Sequence, residues 1–247
     1  MKIAVVSDIH GNLTALEAVI ADLKRLGADV VIQGGDVVAN GARPAQVLDL
    51  IRECGWLGVC GNTDEMLWRP ELLTELEVKT PSKHGLRRIL FNDIAPRTRE
   101  LVGEGRLSWL RTLPEQLCFD GITVLHASPG DLWRAPLSDA NDNELIETYA
   151  KLKTRVVVYG HIHRPYVRTL NSVTIVNSGS VGLSWDGDRR ASYVLLEDGK
   201  CTIRRVDYNI EQEIRELRLR NYPHADWLIS ILETGRYTNP SSARDRS

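Results

Sequence analysis

The sequence predicts an α/β fold with parallel strands at its centre. Three observations carry that reading: short apolar runs of strand length, amphipathic helical stretches between them, and turn residues at the junctions. Ile3 to Val6 is an unbroken apolar run ending at Ser7-Asp8, the pattern of a strand buried on both faces. Leu13, Leu16, Val19, Ile20, Leu23 and Leu26 fall on one helical face; Asn12 or Thr14 can cap the start, and Gly27 ends it. Asp29 to Gln33 is strand-like again. Pro44 suits the first position of a helix carrying Val47 to Ile51, and Trp56 to Cys60 reads as a third strand. This alternation implies right-handed βαβ units.

From Glu65 to about Leu113 the strand signal disappears and helix formers take over, as in a helical insertion or cap. Beyond Pro114 the chain turns β-rich: Ile122 to Leu125, Arg155 to Tyr159, Tyr166 to Leu170, Val173 to Val176, Ser192 to Leu196 and Cys201 to Val206. Asn171-Ser172 and Asp198-Gly199 mark hairpin turns, and one helix, about Asp142 to Lys153, interrupts this half. Ile210 to Leu219 and His224 to Glu233 read as two amphipathic helices before the polar tail Asn239 to Ser247, expected to be mobile. The expected division is therefore a main domain over 1–207, with 65–113 as its cap, followed by C-terminal helices and tail over 208–247.

The 247 residues are 43% hydrophobic and 26% charged, which excludes a disordered or collagen-like chain. Lys and Arg number 31 against 33 Asp and Glu, so no overall basic field draws the protein to nucleic acid or anionic lipid. Cys54, Cys60, Cys118 and Cys201 form no C-x-x-C pair and read as buried thiols of a reducing compartment. The N-terminus turns polar far short of a signal-peptide core or a membrane span, and the expected location is the cytoplasm.

The chemistry gathers where expected strands run into loops, the edge at which open α/β sheets bind ligands. Asp8-Ile9-His10 follows the first strand, Gly35-Asp36 the second and Gly61-Asn62-Thr63-Asp64 the third. His126 follows Ile122 to Leu125, and Gly160-His161-Ile162-His163 follows Arg155 to Tyr159. Four of the six histidines belong to this set; His84 and His224 do not. Each motif has an ordinary alternative: an Asp at a strand end caps helices, Gly-Asp makes turns, and a lone His on an apolar strand is usually core. Their ordered recurrence at successive strand ends points instead to a dinuclear metal site. Carboxylates mixed with imidazoles suit manganese, iron or zinc, with nickel also allowed, better than calcium or a thiolate site.

In these motifs the sequence resembles the calcineurin-like metallophosphoesterases, whose pattern runs D-x-H, G-D, G-N-H-[DE], H, G-H-x-H. Ser7-Asp8-Ile9-His10-Gly11-Asn12-Leu13, His126-Ala127-Ser128-Pro129 and Asn177-Ser178-Gly179-Ser180-Val181-Gly182 look like its small bacterial and archaeal phosphodiesterase-like branch. The resemblance covers about residues 1 to 207. It implies a four-layer α/β/β/α sandwich of two mixed sheets flanked by helices. It also implies two divalent ions, one held by Asp8, His10, Asp36 and His163, the other by Asp36, Asn62, His126 and His161, with Asp36 as bridge. The activity implied is hydrolysis of phosphate esters or nucleotide anhydrides by in-line attack of a hydroxide shared between the ions. Asp36, Asn62 and Asp64 are the residues expected in catalysis.

One departure is particular to this chain. Thr63 stands where the fuller family motif has a histidine that protonates the leaving group, and Asp64, which would orient that histidine, is kept without its partner. Asn12, Asn40, Arg43 and the Gly11 backbone are candidates for holding phosphate, with capping and turn formation as the competing roles. Arg69, Arg87, Arg88 and Arg97 are read as a solvated face of the cap rather than as nucleotide contacts. The expected partner is a small phosphorylated substrate such as a nucleotide, with neither membrane nor nucleic acid; a homodimer is left open. Competing readings are a non-catalytic scaffold for protein interaction, a phosphomonoester or phosphoprotein phosphatase, and a DNA nuclease of the same superfamily.

Overall fold

The computed structural model describes residues 1–240, so the expected tail falls, from residue 241 on, outside the described residues. The first βαβ units form as expected. Strand β1 (Lys2–Val6) leads into helix α1 (Leu13–Leu26), β2 (Val30–Gln33), α2 (Pro44–Glu53) and the short β3 (Leu57–Gly58). Of the two residues able to cap α1, Asn12 does so, its Oδ1 accepting from the Ala15 amide at 3.0 Å, and Gly27 closes the helix with φ 67°. Only two residues of the expected third strand pair with β2, because Val59 and Cys60 already turn toward the loop that carries Gly61.

The stretch after β3 is helical, as expected: α3 (Asn62–Glu65), α4 (Leu72–Lys79), α5 (His84–Arg88), a wider-wound turn over Ile89–Ile94, α6 (Ala95–Val102) and α7 (Glu104–Leu110). The chain then enters β4 (Gln116–Phe119), which the sequence reading missed, and turns at Asp120-Gly121 into β5 (Ile122–Leu125). Helix α8 (Asp142–Tyr149), β6 (Val156–Tyr159), β7 (Tyr166–Leu170), β8 (Val173–Asn177), β9 (Ala191–Glu197) and β10 (Lys200–Val206) follow, then α9 (Ile210–Leu219) and α10 (Ala225–Thr234).

The strands make two mixed five-stranded sheets, ordered β10-β9-β1-β2-β3 and β4-β5-β6-β8-β7. Each has three parallel strands, β1-β2-β3 and β5-β6-β8, edged by antiparallel ones. The two-residue period of each strand creates the layers. Ile3 and Val5 of β1 face inward with Ile32 and Val194 to meet Ile122, Val124, Val158 and Val176 of the second sheet. Ala4 and Val6 face outward and pack under α1, α2, α9 and α10 through Leu16, Val19, Val47, Ile214 and Leu228. Leu125, Val157, Tyr159 and Ile175 face outward from the second sheet against Leu145 and Tyr149 of α8. The four-layer α/β/β/α sandwich is therefore observed.

One buried ion pair ties α9 to the segment before α2. Arg43 Nη2 lies 2.7 Å from Glu213 Oε2, which also accepts from Thr14 Oγ1 at 2.9 Å. Glu213→Ala should destabilise the fold by about 3–5 kcal/mol, because it leaves a buried guanidinium without its anion. Urea denaturation checks this, and a loss below about 1 kcal/mol would show that water already screens the pair.

The cysteine expectation needs partial correction. Cys60 is buried and Cys201 half-buried, but Cys54 and Cys118 are exposed, at the end of α2 and on the edge strand β4; all four are free thiols. No described helix is long and apolar enough to cross a membrane.

Candidate metal centre

The loops leaving β1, β2, β5 and β6, together with the one leading from β3 into α3, converge at one end of the sandwich. Their close approach requires glycine. A Cβ on Gly61 would overlap the backbone nitrogen and carboxylate of Asp36, and one on Gly160 would overlap Asp8 Oδ2 and Ser7 Oγ. The converging side chains also sit on unusual backbone: Asp8, His10, Asp36, Asn40, His161 and His163 all have φ between 51° and 70°. L-residues pay of order 1–3 kcal/mol each for such conformations, which persist where the surrounding structure enforces them and cluster at functional sites.

Two donor groups result. In the first, Asp8 Oδ1 is 3.0 Å from His163 Nε2, and the Nε2 atoms of His10 and His163 are 3.2 Å apart. In the second, Asn62 Oδ1 lies 2.8 Å from His126 Nε2 and 2.9 Å from His161 Nδ1, and those two nitrogens are 3.3 Å apart. Asp36 stands between them, with Oδ2 at 3.8 Å from His10 Nε2 and Oδ1 at 3.5 Å from His126 Nε2. The ligand atoms of Asp8, His10 and His163 lie within 4.8 Å of one another, as do those of Asp8, Asp36 and His126.

The histidine tautomers fit a metal. Nδ1 of His10 donates to Ala39 O at 2.9 Å, that of His126 to Gly34 O at 2.9 Å, and that of His163 to Leu183 O. With Nδ1 engaged, each ring turns its Nε2 into the site, the orientation in which an imidazole binds a metal ion. Burial pushes the His10 imidazole down to about 4 and that of His161 down to about 3, so both are unprotonated at neutral pH. Burial also lowers His126, but Asp36 and Asp8 outweigh it and the net shift is upward. Burial alone would raise the Asp8 carboxyl; the facing His163, with His126 and His10, holds it well below the usual carboxylate range. Oxygen and imidazole donors in two groups around a shared carboxylate suit a pair of first-row divalent ions.

A cavity of about 1200 Å³ opens from this cluster, lined by His10, Asp36, Asn62, His161 and His163 at one end. Thr63 and Asn40 also line it, and Thr63 Oγ1 and Asn40 Oδ1 are buried without a hydrogen-bond partner. Asp64, expected in catalysis, instead accepts from the Val37 and Gly61 amides at 3.0 and 3.1 Å. It joins the Asp36 and Asn62 loops and does not reach the cavity; burial, then the nearby Asp36, raises its carboxyl to about 7.

Asn12 and Arg43 need a similar correction. Neither lines the cavity: Asn12 caps α1 and donates to Gly182 O, while Arg43 is spent on Thr14 and Glu213. Among the cap arginines, Arg88 lies on the solvated face and Arg69 and Arg97 are half-buried, but Arg87 is buried and donates to the Leu76 and Thr80 carbonyls. Sequence reasoning missed Trp185, whose ring stacks on His163 at a 3.9 Å centroid distance, and Tyr222, whose hydroxyl accepts from the Asn40 amide at 3.1 Å. No motif flags either; each arrives from a distant segment.

Residues 1–199 match the calcineurin-like phosphoesterase superfamily domain. An uncharacterized protein of Methanocaldococcus jannaschii is 30% identical over 257 aligned residues, covering 95% of this chain and 98% of that protein. The phosphodiesterase YfcE of Escherichia coli is 26% identical over 82% of this chain and 91% of its own. Among solved structures, a metallophosphoesterase from Sphaerobacter thermophilus superposes with a TM-score of 0.77 at 27% identity, covering 95% and 99% of the two chains. Fold, domain match and the ordered strand-end motifs agree: the chain belongs to the calcineurin-like phosphoesterase superfamily.

Proposed function

We propose that this chain is a dinuclear metal-dependent phosphoesterase, acting best on phosphodiesters and phosphoanhydrides. The observation that carries the reading is the pair of donor groups on either side of Asp36. Asp8, His10, Asp36 and His163 would hold one divalent ion and Asp36, Asn62, His126 and His161 the other. Manganese is the first choice; iron, zinc and nickel suit the same donors. When bound, such ions act as Lewis acids toward a phosphoryl oxygen and lower the pKa of water.

The protein's own part is positioning. The Nδ1 bonds of His10, His126 and His163 fix their rings, and the amide of Thr63 donates to Asp36 Oδ1 at 2.8 Å, holding the bridge in place. Asn40 serves as a phosphate contact. Its Nδ2 lies 3.4 Å from His10 Nδ1, itself a donor, so two donors face each other while Oδ1 has no partner. The opposite amide orientation turns Oδ1 toward the His10 N–H and leaves the amide N–H without a protein acceptor, a donor for a phosphate oxygen. Retention of a full donor set argues against a non-catalytic scaffold. The net charge of −2 argues against a nuclease, and the four free cysteines support a cytoplasmic location.

Thr63 decides the leaving-group preference. A threonine hydroxyl supplies no proton at neutral pH, whereas general acid catalysis contributes roughly 10²–10⁴-fold to departure of a poor leaving group. Aryl, nucleotide and anhydride leaving groups should therefore exceed alkyl monoesters. Thr63→His should raise kcat/KM selectively for poor leaving groups, read from a series of phosphate esters graded in leaving-group pKa. A flat dependence in the parent with no selective gain in the variant would sink the assignment.

A further inference from the structure

Resting on the phosphoesterase reading, we infer that the cavity beside the metal centre holds a second anionic group of the substrate through Lys83, Arg134 and Arg164, so that the preferred substrates are nucleotide-type phosphoanhydrides. All three cations line the same cavity as the metal centre, and they come from separate segments: the turn before α5, the loop after β5 and the loop after β6. All three are exposed, and none forms a salt bridge with a carboxylate among the described residues. Arg69, Arg88, Arg106, Arg190 and Arg205, which lie outside this cavity, are each held by an acid. Cations left unpaired around one concavity focus a positive field on it.

The lining also carries one acid outside the metal cluster, Asp139, and the apolar and aromatic side chains Leu137, Trp133 and Trp185, which suit a nucleoside rather than a bare inorganic chain. The chemistry agrees independently. In anhydride hydrolysis a water oxygen bonds to phosphorus, the bridging P–O bond breaks, and its electron pair leaves with the departing phosphate. The water's proton passes to solvent. A phosphate departs as an anion, so the step needs no proton from the position where Thr63 stands. The charge the leaving group retains is the charge the three cations face.

The test uses the full chain stripped of metal with EDTA, titrated calorimetrically with α,β-methylene adenosine diphosphate and with adenosine monophosphate. The diphosphate analogue should bind more tightly. In the Lys83→Ala/Arg134→Ala/Arg164→Ala variant its Kd should rise roughly 10- to 100-fold, an effect that added salt at about 0.5 M reproduces in the parent. Equal Kd values for the two ligands, or an unchanged Kd in the variant, would overturn the inference. Hydrolysis of bis-p-nitrophenyl phosphate by the manganese-loaded parent is measured alongside. Its absence would remove the phosphoesterase reading and this inference with it, whereas its presence with unselective binding removes the inference alone.

Discussion

Asp36→Ala should lower kcat/KM for bis-p-nitrophenyl phosphate by roughly a thousandfold or more, the largest effect of any single ligand change. The two oxygens of Asp36 face different donor groups, one toward His10 and the other toward His126. Removing it takes a donor from both ions and leaves two cations to repel each other with no anion between them. His161→Ala removes a half-buried donor from one group only and should cost less. Near-normal activity in Asp36→Ala combined with loss in His161→Ala would refute the bridging role. Circular dichroism should show both variants folded, since the hydrophobic layers of the sandwich lie on either side of the sheets and do not include Asp36.

Chelation should be equally severe. Treatment with EDTA should abolish turnover, and added manganese should restore it. Without metal the facing Nε2 atoms of His10 and His163 lack the ion they would bind, and burial keeps the His10 imidazole unprotonated at neutral pH. Secondary structure should survive the treatment, because both sheets and their helical layers are held by apolar packing. Undiminished turnover in EDTA, with no metal found by elemental analysis, would contradict the assignment.

The parallel strands and their helices could be read from the sequence because periodicity and caps agreed there: Asn12, Gly27 and Pro44 punctuate segments whose apolar faces are continuous. Strand β4 escaped because it lies at a sheet edge, with Gln116 and Cys118 exposed and only Leu117 and Phe119 half-buried, so its alternation is weak. The donors could be read because each follows a strand end, where topology gathers them without any need to know loop shapes. The surroundings could not. Arg43 meets Glu213 across 170 positions, and Trp185 reaches His163 through a loop with no periodic pattern. Buried Arg87 resembles its solvated neighbours in sequence and differs only in having the Leu76 and Thr80 carbonyls within reach. Such contacts depend on loop conformation, which composition and spacing do not encode.

The most direct measurement is anomalous diffraction from crystals grown with manganese. Two peaks are expected, one among Asp8, His10 and His163, the other among Asn62, His126 and His161, with the Asp36 carboxylate between them. A single peak, or none at saturating manganese, would contradict a dinuclear centre.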